Sequence, residues 1–276
     1  MIYITLVMYN NKMEDIPSKG TLSTFIKDYG NDKVKLIIVN NSDKSKFCEL
    51  SDEAEYFVND TAAVYMCEGK NLGLSKAYNK AFNKALSESM DTQKDFMMLL
   101  DDDTYISYDY LEMLYKAHVI NGSKTKKVNV IASLVSSSGR PMSPIKSFKM
   151  KYKLSDFIIN HGVYNNIICI NSGMAIRLSA LEMIGGFEES LFLDMIDYML
   201  FYRLKEKELC RVLVMPKKIL QSFSGRTKMS KEAARKRFMI FSKDFMRYAK
   251  LTGLSKMYTA TYLMKRKMAM EIKSGK

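Results

Sequence analysis

Short β-branched runs recur along the chain, and stretches with helical spacing lie between them. "IYITLVM" (2–8) and "VKLIIVN" (34–40) read as strands, separated by a helix near "TLSTFIKDY" (21–29). "AAVYMC" (62–67) is a third strand candidate. In "LSKAYNKAFNKALSE" (74–88), Leu74, Ala77, Tyr78, Ala81, Phe82 and Ala85 form one apolar stripe, as one face of a helix requires. "DFMMLL" (95–100) is a further strand, followed by a helix near "YDYLEMLYKAHVI" (108–120) and a strand at "VNVIASLV" (128–135). Strands alternating with helices predict an α/β fold, a mostly parallel sheet flanked by helices.

Periodicity lapses from Gly139 to Lys153, where Pro141 and Pro144 fall, and a mobile loop over the site is expected. Residues 165–187 return to a strand, a turn and a short helix. "LFLDMIDYMLFYRLKEKE" (191–208) reads as a helix that carries Asp194 and Asp197 three residues apart, hence on one face. "RVLVMP" (211–216) is a last strand before a basic helical tail. Two segments follow: residues 1–225 as the α/β domain and 226–276 as a basic helical extension.

Composition adds three constraints. With 276 residues, 47% hydrophobic and 26% charged, the chain suits a folded domain and not a disordered one. The four cysteines, Cys48, Cys67, Cys169 and Cys210, form no CxxC, so neither a zinc site nor a redox motif is indicated, and reduced core thiols in a cytoplasmic protein are expected. The N-terminus has no basic region or small-residue cleavage site typical of a signal peptide, and no apolar run approaches the roughly 20 residues that span a bilayer. Charge is uneven. From Arg226 onward fifteen cations face only Glu232, Asp244 and Glu271, so +12 of the formal +13 lies in the tail, which calls for an anionic partner.

Against that basic background, "MMLLDDDTYIS" (97–107) runs an apolar strand into Asp101, Asp102 and Asp103. Three unpaired carboxylates would repel one another and raise each other's pKa, so a cation belongs there. Strand alternation sets Asp101 and Asp103 on one side and Asp102 on the other, and two oxygen ligands at such spacing suit Mg²⁺ or Mn²⁺. A solvated acidic turn or a helix cap is the plainer alternative.

The order of motifs resembles the family 2 glycosyltransferases of the GT-A fold, especially their bacterial rhamnosyltransferase-like branch. "VMYN" (7–10) is similar to that family's opening strand, "NLGLSKAYNKAF" (71–82) to its N-x-G-x-x-x-A-x-N segment, and "LLDDDT" (99–104) to its DxD motif. "NSGMAIRLSALEMIGGFEESLFLDMIDYMLFYR" (171–203) resembles its acceptor-side block. The resemblance implies Asp103 and Asp101 as metal ligands, with Asp101 and Asp102 beside the nucleotide. It also implies Tyr9, Asn40, Asn71, Gly73 and Asn79 at the nucleotide, Asp197 as catalytic base, Asp194 as its companion acid, and Arg203 closing their helix. Asn71 and Gly73 also have a plain reading as a helix entry. Three departures stand out: Asn40 and Asn41 replace a base-reading Asp, "ILQSFSGR" (219–226) lacks a late His, and Met199 stands where an acid is common. Asn offers both donor and acceptor, so pyrimidine recognition survives in principle. The two histidines lie elsewhere; His118 reads as a packing or surface residue and His161 has no assigned role.

The chemistry is coherent with this assignment. Sugar transfer needs the leaving diphosphate stabilised, which a metal does, and the acceptor hydroxyl deprotonated, which a carboxylate does. One base opposite the leaving group implies inversion, by analogy with glycoside chemistry. The expected enzyme takes a dTDP-rhamnose or UDP-sugar donor and a lipid-linked or polysaccharide acceptor. A UDP-galactofuranose or other hexosyl transferase, a nucleotidyltransferase, and a non-catalytic membrane-binding protein are the alternatives. "VMYNNKMEDIPSKG" (7–20) is a poor phosphate loop for the nucleotidyltransferase. In the tail, Ala234, Phe238, Phe241, Phe245 and Tyr248 recur at helical spacing among Lys and Arg. Either the helix packs on the core or its rings, with Tyr258 and Tyr262, sit on the anionic inner face of a membrane. No nucleic-acid motif accompanies the charge, and homo-oligomerisation stays open.

Overall fold

The computed structural model describes residues 1–43, 47–122, 127–137, 139–146, 153–220 and 230–274. In chain order it forms β1 (Ile2–Met8), α1 (Lys19–Tyr29), β2 (Val34–Asn40), α2 (Asp52–Asp60), β3 (Val64–Cys67), α3 (Leu74–Glu88), β4 (Phe96–Asp101) and α4 (Tyr108–Gly122). Then come β5 (Val130–Ser137), β6 (Arg140–Ser143), β7 (Gly162–Asn165), β8 (Ala175–Arg177), α5 (Leu178–Met183), α6 (Ile196–Glu206), β9 (Arg211–Leu220), α7 (Lys231–Thr252) and α8 (Lys256–Ser274).

The described strands join in one sheet of order β3-β2-β1-β4-β8-β5-β9-β7, with β6 on β5. β1 pairs in parallel with both β2 and β4, β2 with β3, and β5 with β9. β8 runs antiparallel between β4 and β5, and β7 antiparallel along β9. The expected mostly parallel α/β sheet is what the chain builds. Every residue of β1 is buried, because helices cover both faces, and this is why the run shows no polar alternation. Tyr3, Val7, Met97 and Leu99 face α3 together with α6 and α7, while Ile2, Ile4, Leu6 and Leu100 face α1 and α4. Strand order reverses at β1, so the carboxyl ends of β1 and β4 flank the crevice where open α/β sheets place ligands.

Several expectations change. The supposed loop at 139–153 contains β6, which takes over the β5 edge where β8 leaves it, and Ile145 bridges to Ile168; residues 147–152 lie outside the described chain. α2 was not anticipated from the apolar pattern. Its start is set instead by Ser51, which accepts from the Ala54 amide at 3.2 Å, and by Asp52, Glu53 and Glu55 in the first turn. Cys48 and Cys67 are not reduced core thiols but a disulfide pair, Cα to Cα 5.7 Å. Parallel pairing of β3 with β2 sets Cys67 beside Asn40, and the loop after β2 returns Cys48 to it. Cys169 and Cys210 are free and buried, as expected of core thiols.

The tail also departs from the membrane reading. Phe241, Phe245 and Tyr248 are buried in the same core as α3, α5 and α6, and Tyr262 of α8 stacks on Phe245 at 4.7 Å. Those rings cannot lie among lipid headgroups while they fill this core. No helix among the described residues is long and apolar enough to cross a membrane.

Candidate active site

β4 ends at Asp101, not at Asp103. The Thr104 amide bonds back to the Asp101 carbonyl at 3.2 Å, so Asp102 and Asp103 sit in a turn and strand alternation does not extend to them. Asp101 points to the α3 side of the sheet. There it accepts from the Tyr78 hydroxyl at 3.1 Å and from Ser172 Oγ at 2.5 Å. Ser172 reaches it because the next residue, Gly173, turns with φ +78 under the Tyr110 ring, where a Cβ would lie 2.4 Å from Ile219. Asp102 accepts from the Tyr9 amide at 2.9 Å, which ties the end of β1 to the turn. Asp103 is exposed and takes only a 3.2 Å bond from the adjacent Thr104 hydroxyl.

α6 supplies the fourth carboxylate, though not as the periodicity suggests. The helix begins at Ile196, and Met195 before it stands in the left-handed region at φ 63. For a non-glycine residue that conformation is uncommon and costs on the order of 1–2 kcal/mol. Asp194 therefore lies outside the helix, and the two acids do not share a helical face. Asp194 is gripped through both oxygens by Arg237 of α7, Nη2 to Oδ1 2.7 Å. Asp197, in the first turn, accepts from the Tyr198 amide at 2.8 Å.

The electrostatics single out this cluster. Among the described residues no Lys or Arg pairs with Asp101, Asp102, Asp103 or Asp197, although thirteen ion pairs exist elsewhere. Burial pushes the Asp102 carboxyl up to about 6, with Asp103 and Asp101 adding to it. Burial likewise raises Asp197 to about 6, with further contributions from Asp194 and Asp101. Asp101 is raised by burial and by Asp103. Tyr78 sits amid Asp101, Asp197 and Asp103; burial and those charges hold its phenol well above the ordinary value, so it stays a donor. Three acids without a cation around one buried hydroxyl, with Asp102 next along the chain, form a site that attracts positive charge.

A divalent ion fits this donor set. Asp103 is open and Asp101 keeps lone pairs beyond its two hydrogen bonds, so each offers a hard oxygen. No three His, Cys, Asp or Glu side chains among the described residues form a closed metal cage. The segment "ILQSFSGR" that lacks a His lies, from residue 221, outside the described residues.

Other expected site residues turn out to be braces. Asn40 is 2% exposed and its amide is fully engaged: Nδ2 donates to the Phe47 carbonyl and to Tyr65, and Oδ1 accepts from Ser42. In this structure Asn40 braces the loop after β2 through those bonds. Asn41 donates to Asn71 at 3.0 Å and accepts from the Leu72 amide, so the end of β2 holds the start of α3. Asn71 also accepts from the Gly73 amide. Asn79 bonds both backbone groups of Phe187, at 2.8 and 2.9 Å, and donates to Glu189 at 3.0 Å. Arg203 turns from both aspartates to Glu188 and the Gly186 carbonyl. Met199 packs in the core. His118 is a packing residue, bonded to the Lys94 carbonyl at 2.9 Å, and burial lowers its pKa to about 4. Gly73, at φ +85, is required by packing: a Cβ there would come within 2.7 Å of the Phe192 ring and 2.9 Å of its carbonyl.

Tyr9, whose amide bonds Asp102, is 48% exposed, and its hydroxyl reaches Asp43 at 3.4 Å. A cavity of about 190 Å³ opens on the opposite face of the sheet from Tyr78, lined by Met8, Asn11, Asn40, Phe47 and Leu50 among others, and it adjoins Asp102 through Asn11. Four contributors escaped the sequence reading: Tyr78, Ser172, Arg237 and Asp244. Tyr78 was read only as part of an apolar stripe. Asp244, one of three acids in a tail of fifteen cations, was the visible signal for a specific contact.

The mostly parallel sheet flanked by helices, with acids at the carboxyl end of β4, has the fold of the GT-A glycosyltransferases among solved structures. A family model described as glycosyl transferase family 2 matches residues 18–185, and the chain belongs to that family. No curated protein matches it. Among solved structures, S. aureus TarS 1–349 is 14% identical, with TM-score 0.51 over 89% of this chain and 66% of that one. Mannosyltransferase PcManGT from Pyrobaculum calidifontis, in complex with GDP-Man and Mn²⁺, is 15% identical, TM-score 0.53, over 99% and 72%. GalNAc-T7 with UDP, GalNAc and Mn²⁺ is 12% identical, TM-score 0.57, over 99% and 57%. The chain spans 43% of the longer TarS structure.

Proposed function

We propose that the protein is an inverting, metal-dependent glycosyltransferase that moves a sugar from a nucleotide-sugar donor to a lipid-linked or polysaccharide acceptor. The observation that carries this is the set of cation-free acids, Asp101, Asp103 and Asp197 around Tyr78 with Asp102 beside them in the β4 turn, at the strand-order reversal. Asp103 and Asp101 hold Mn²⁺ or Mg²⁺, which when bound offsets the charge of the leaving diphosphate. Asp102 and the exposed Tyr9 lie where the nucleoside would rest. Asp197 takes the proton of the acceptor hydroxyl. The acceptor oxygen bonds to the anomeric carbon as the bond from that carbon to the diphosphate breaks, and the nucleoside diphosphate leaves. A dTDP- or UDP-sugar is the favoured donor; UDP, UDP-GlcNAc and GDP-Man bound to structural neighbours keep other donors in the panel.

The acceptor reading includes an anionic lipid surface, through residues other than those first expected. Met257, Met264 and Met268 line the side of α8 turned away from α7, at 80%, 66% and 52% exposure, with Lys265 and Lys267 flanking them. An apolar stripe edged by cations suits a headgroup boundary.

The test is calorimetry with UDP, dTDP and GDP, with and without Mn²⁺, and then nucleotide release from a panel of nucleotide sugars. Nucleotide binding that requires Mn²⁺ and is lost in Asp103→Asn is the expected result. Equal affinity without metal removes the metal from the mechanism. Pyrophosphate release from a nucleoside triphosphate and a sugar phosphate favours a nucleotidyltransferase. Vesicle binding with no nucleotide binding favours a non-catalytic membrane protein.

A further inference from the structure

The first helix of the basic extension reaches the segment that leads into the base. Asp244 of α7, 3% exposed, accepts three consecutive backbone amides: Phe192 at 2.9 Å, Leu193 at 2.8 Å and Asp194 at 2.8 Å. Two turns earlier on the same helix face, Arg237 grips the Asp194 side chain with both guanidinium nitrogens. From the other side, the Leu74 amide at the start of α3 donates to the Phe192 carbonyl at 2.6 Å. The clamped residues run directly into Met195, in its left-handed conformation, and into the turn that carries Asp197. Short peptides do not hold that backbone unaided, so the surrounding contacts must impose it.

We infer that α7 is a positioning element for catalysis: Asp244 and Arg237 fix residues 192–194, and thereby set where the Asp197 carboxylate stands. Arg237 also occupies Asp194, which leaves Asp197 the acid of the pair that faces the carboxylate cluster without a cation. Both act through residues 192–194. This inference rests on the transferase reading and adds to it. It also explains why an acid sits in a strongly basic helix: a buried carboxylate can accept all three aligned N–H groups at once, in charge-assisted bonds.

The test uses the full-length chain with Arg237→Gln, Arg237→Lys and Asp244→Asn. Arg237 is partly exposed, so its variants fold even where Asp244→Asn does not. Thermal melting identifies the folded variants. For these, Mn²⁺-dependent UDP affinity should stay within about twofold of the parent, while kcat falls by roughly 10², the scale expected for a misplacement of about 1 Å. Arg237→Lys should recover part of the loss, since it restores charge without the two-pronged grip. Hydrogen exchange should rise at residues 192–194 in Arg237→Gln. Folded variants with parental kcat would overturn the inference alone, as would UDP affinity that falls in step with kcat. A wild type that binds UDP but transfers no sugar from any donor would overturn the transferase reading, and this inference with it.

Discussion

Replacing Asp197 by Asn should make the protein more stable and nearly inactive. Burial holds the Asp197 carboxyl at about 6, and the charges of Asp194 and Asp101 add to the effect. An unfolded Asp ionises near 3.9, so the folded state resists the charged form by about two pH units. At about 1.4 kcal/mol per unit, that is roughly 3 kcal/mol lost at neutral pH. The sign follows from proton binding. Below about pH 4 both states hold the proton and the residue has no effect. Between 4 and 6 the unfolded chain releases it first, so stability falls as pH rises, and the full penalty is present above 6. Asn carries no charge and keeps an oxygen for the Tyr198 amide. The melting temperature of Asp197→Asn should therefore rise by roughly 5–10 °C at pH 7 and hardly at pH 4. Turnover should fall by about 10² or more, the usual contribution of a general base.

Of the groups whose charges interact with Asp197, only carboxylates titrate in this window. Tyr78 and Cys169 are raised well above their ordinary values and Tyr248 to about 12. Asp101 and Asp102 are raised too, so comparison of variant with parent, and not the parental profile alone, isolates Asp197. The parent's kcat/KM should climb through about pH 6 and level off above it. The assays are differential scanning calorimetry at both pH values and nucleotide release across pH. Equal melting shifts at pH 4 and pH 7, or parental turnover in Asp197→Asn, would refute the assignment.

Gly73→Ala should destabilise the protein by roughly 1–3 kcal/mol, because a methyl meets Phe192 at a backbone angle that side chains rarely adopt; denaturant melts check this, and parental stability would show that the Phe192 contact yields freely. Changing Met257, Met264 and Met268 together to Ser should weaken sedimentation with anionic vesicles, and binding by the parent should decline with salt, since charges are screened beyond about 8 Å at physiological ionic strength. Unchanged sedimentation of the triple variant would sink the docking face.

Local pattern determined much of this protein. The bounds of α3 coincide with the apolar stripe of residues 74–88, and β1 and β2 with their β-branched runs, because burial of a periodic face dominates the local free energy. The acids at the end of β4 were equally legible, since they stand out against an apolar strand. What periodicity could not reveal was where chain segments far apart would meet. It extended α6 through Asp194, whereas tertiary contacts with Asp244 and Arg237, some fifty residues away, hold Met195 out of the helix and part Asp194 from Asp197. Nor could it show that the returning loop engages every polar atom of the Asn40 side chain. It offered two places for the aromatic face of the tail, lipid or core, because an amphipathic stripe states that it will be buried but not against what. Only the folded sheet, with α3 and α6 already beside it, provided the apolar surface that Phe241, Phe245 and Tyr248 cover.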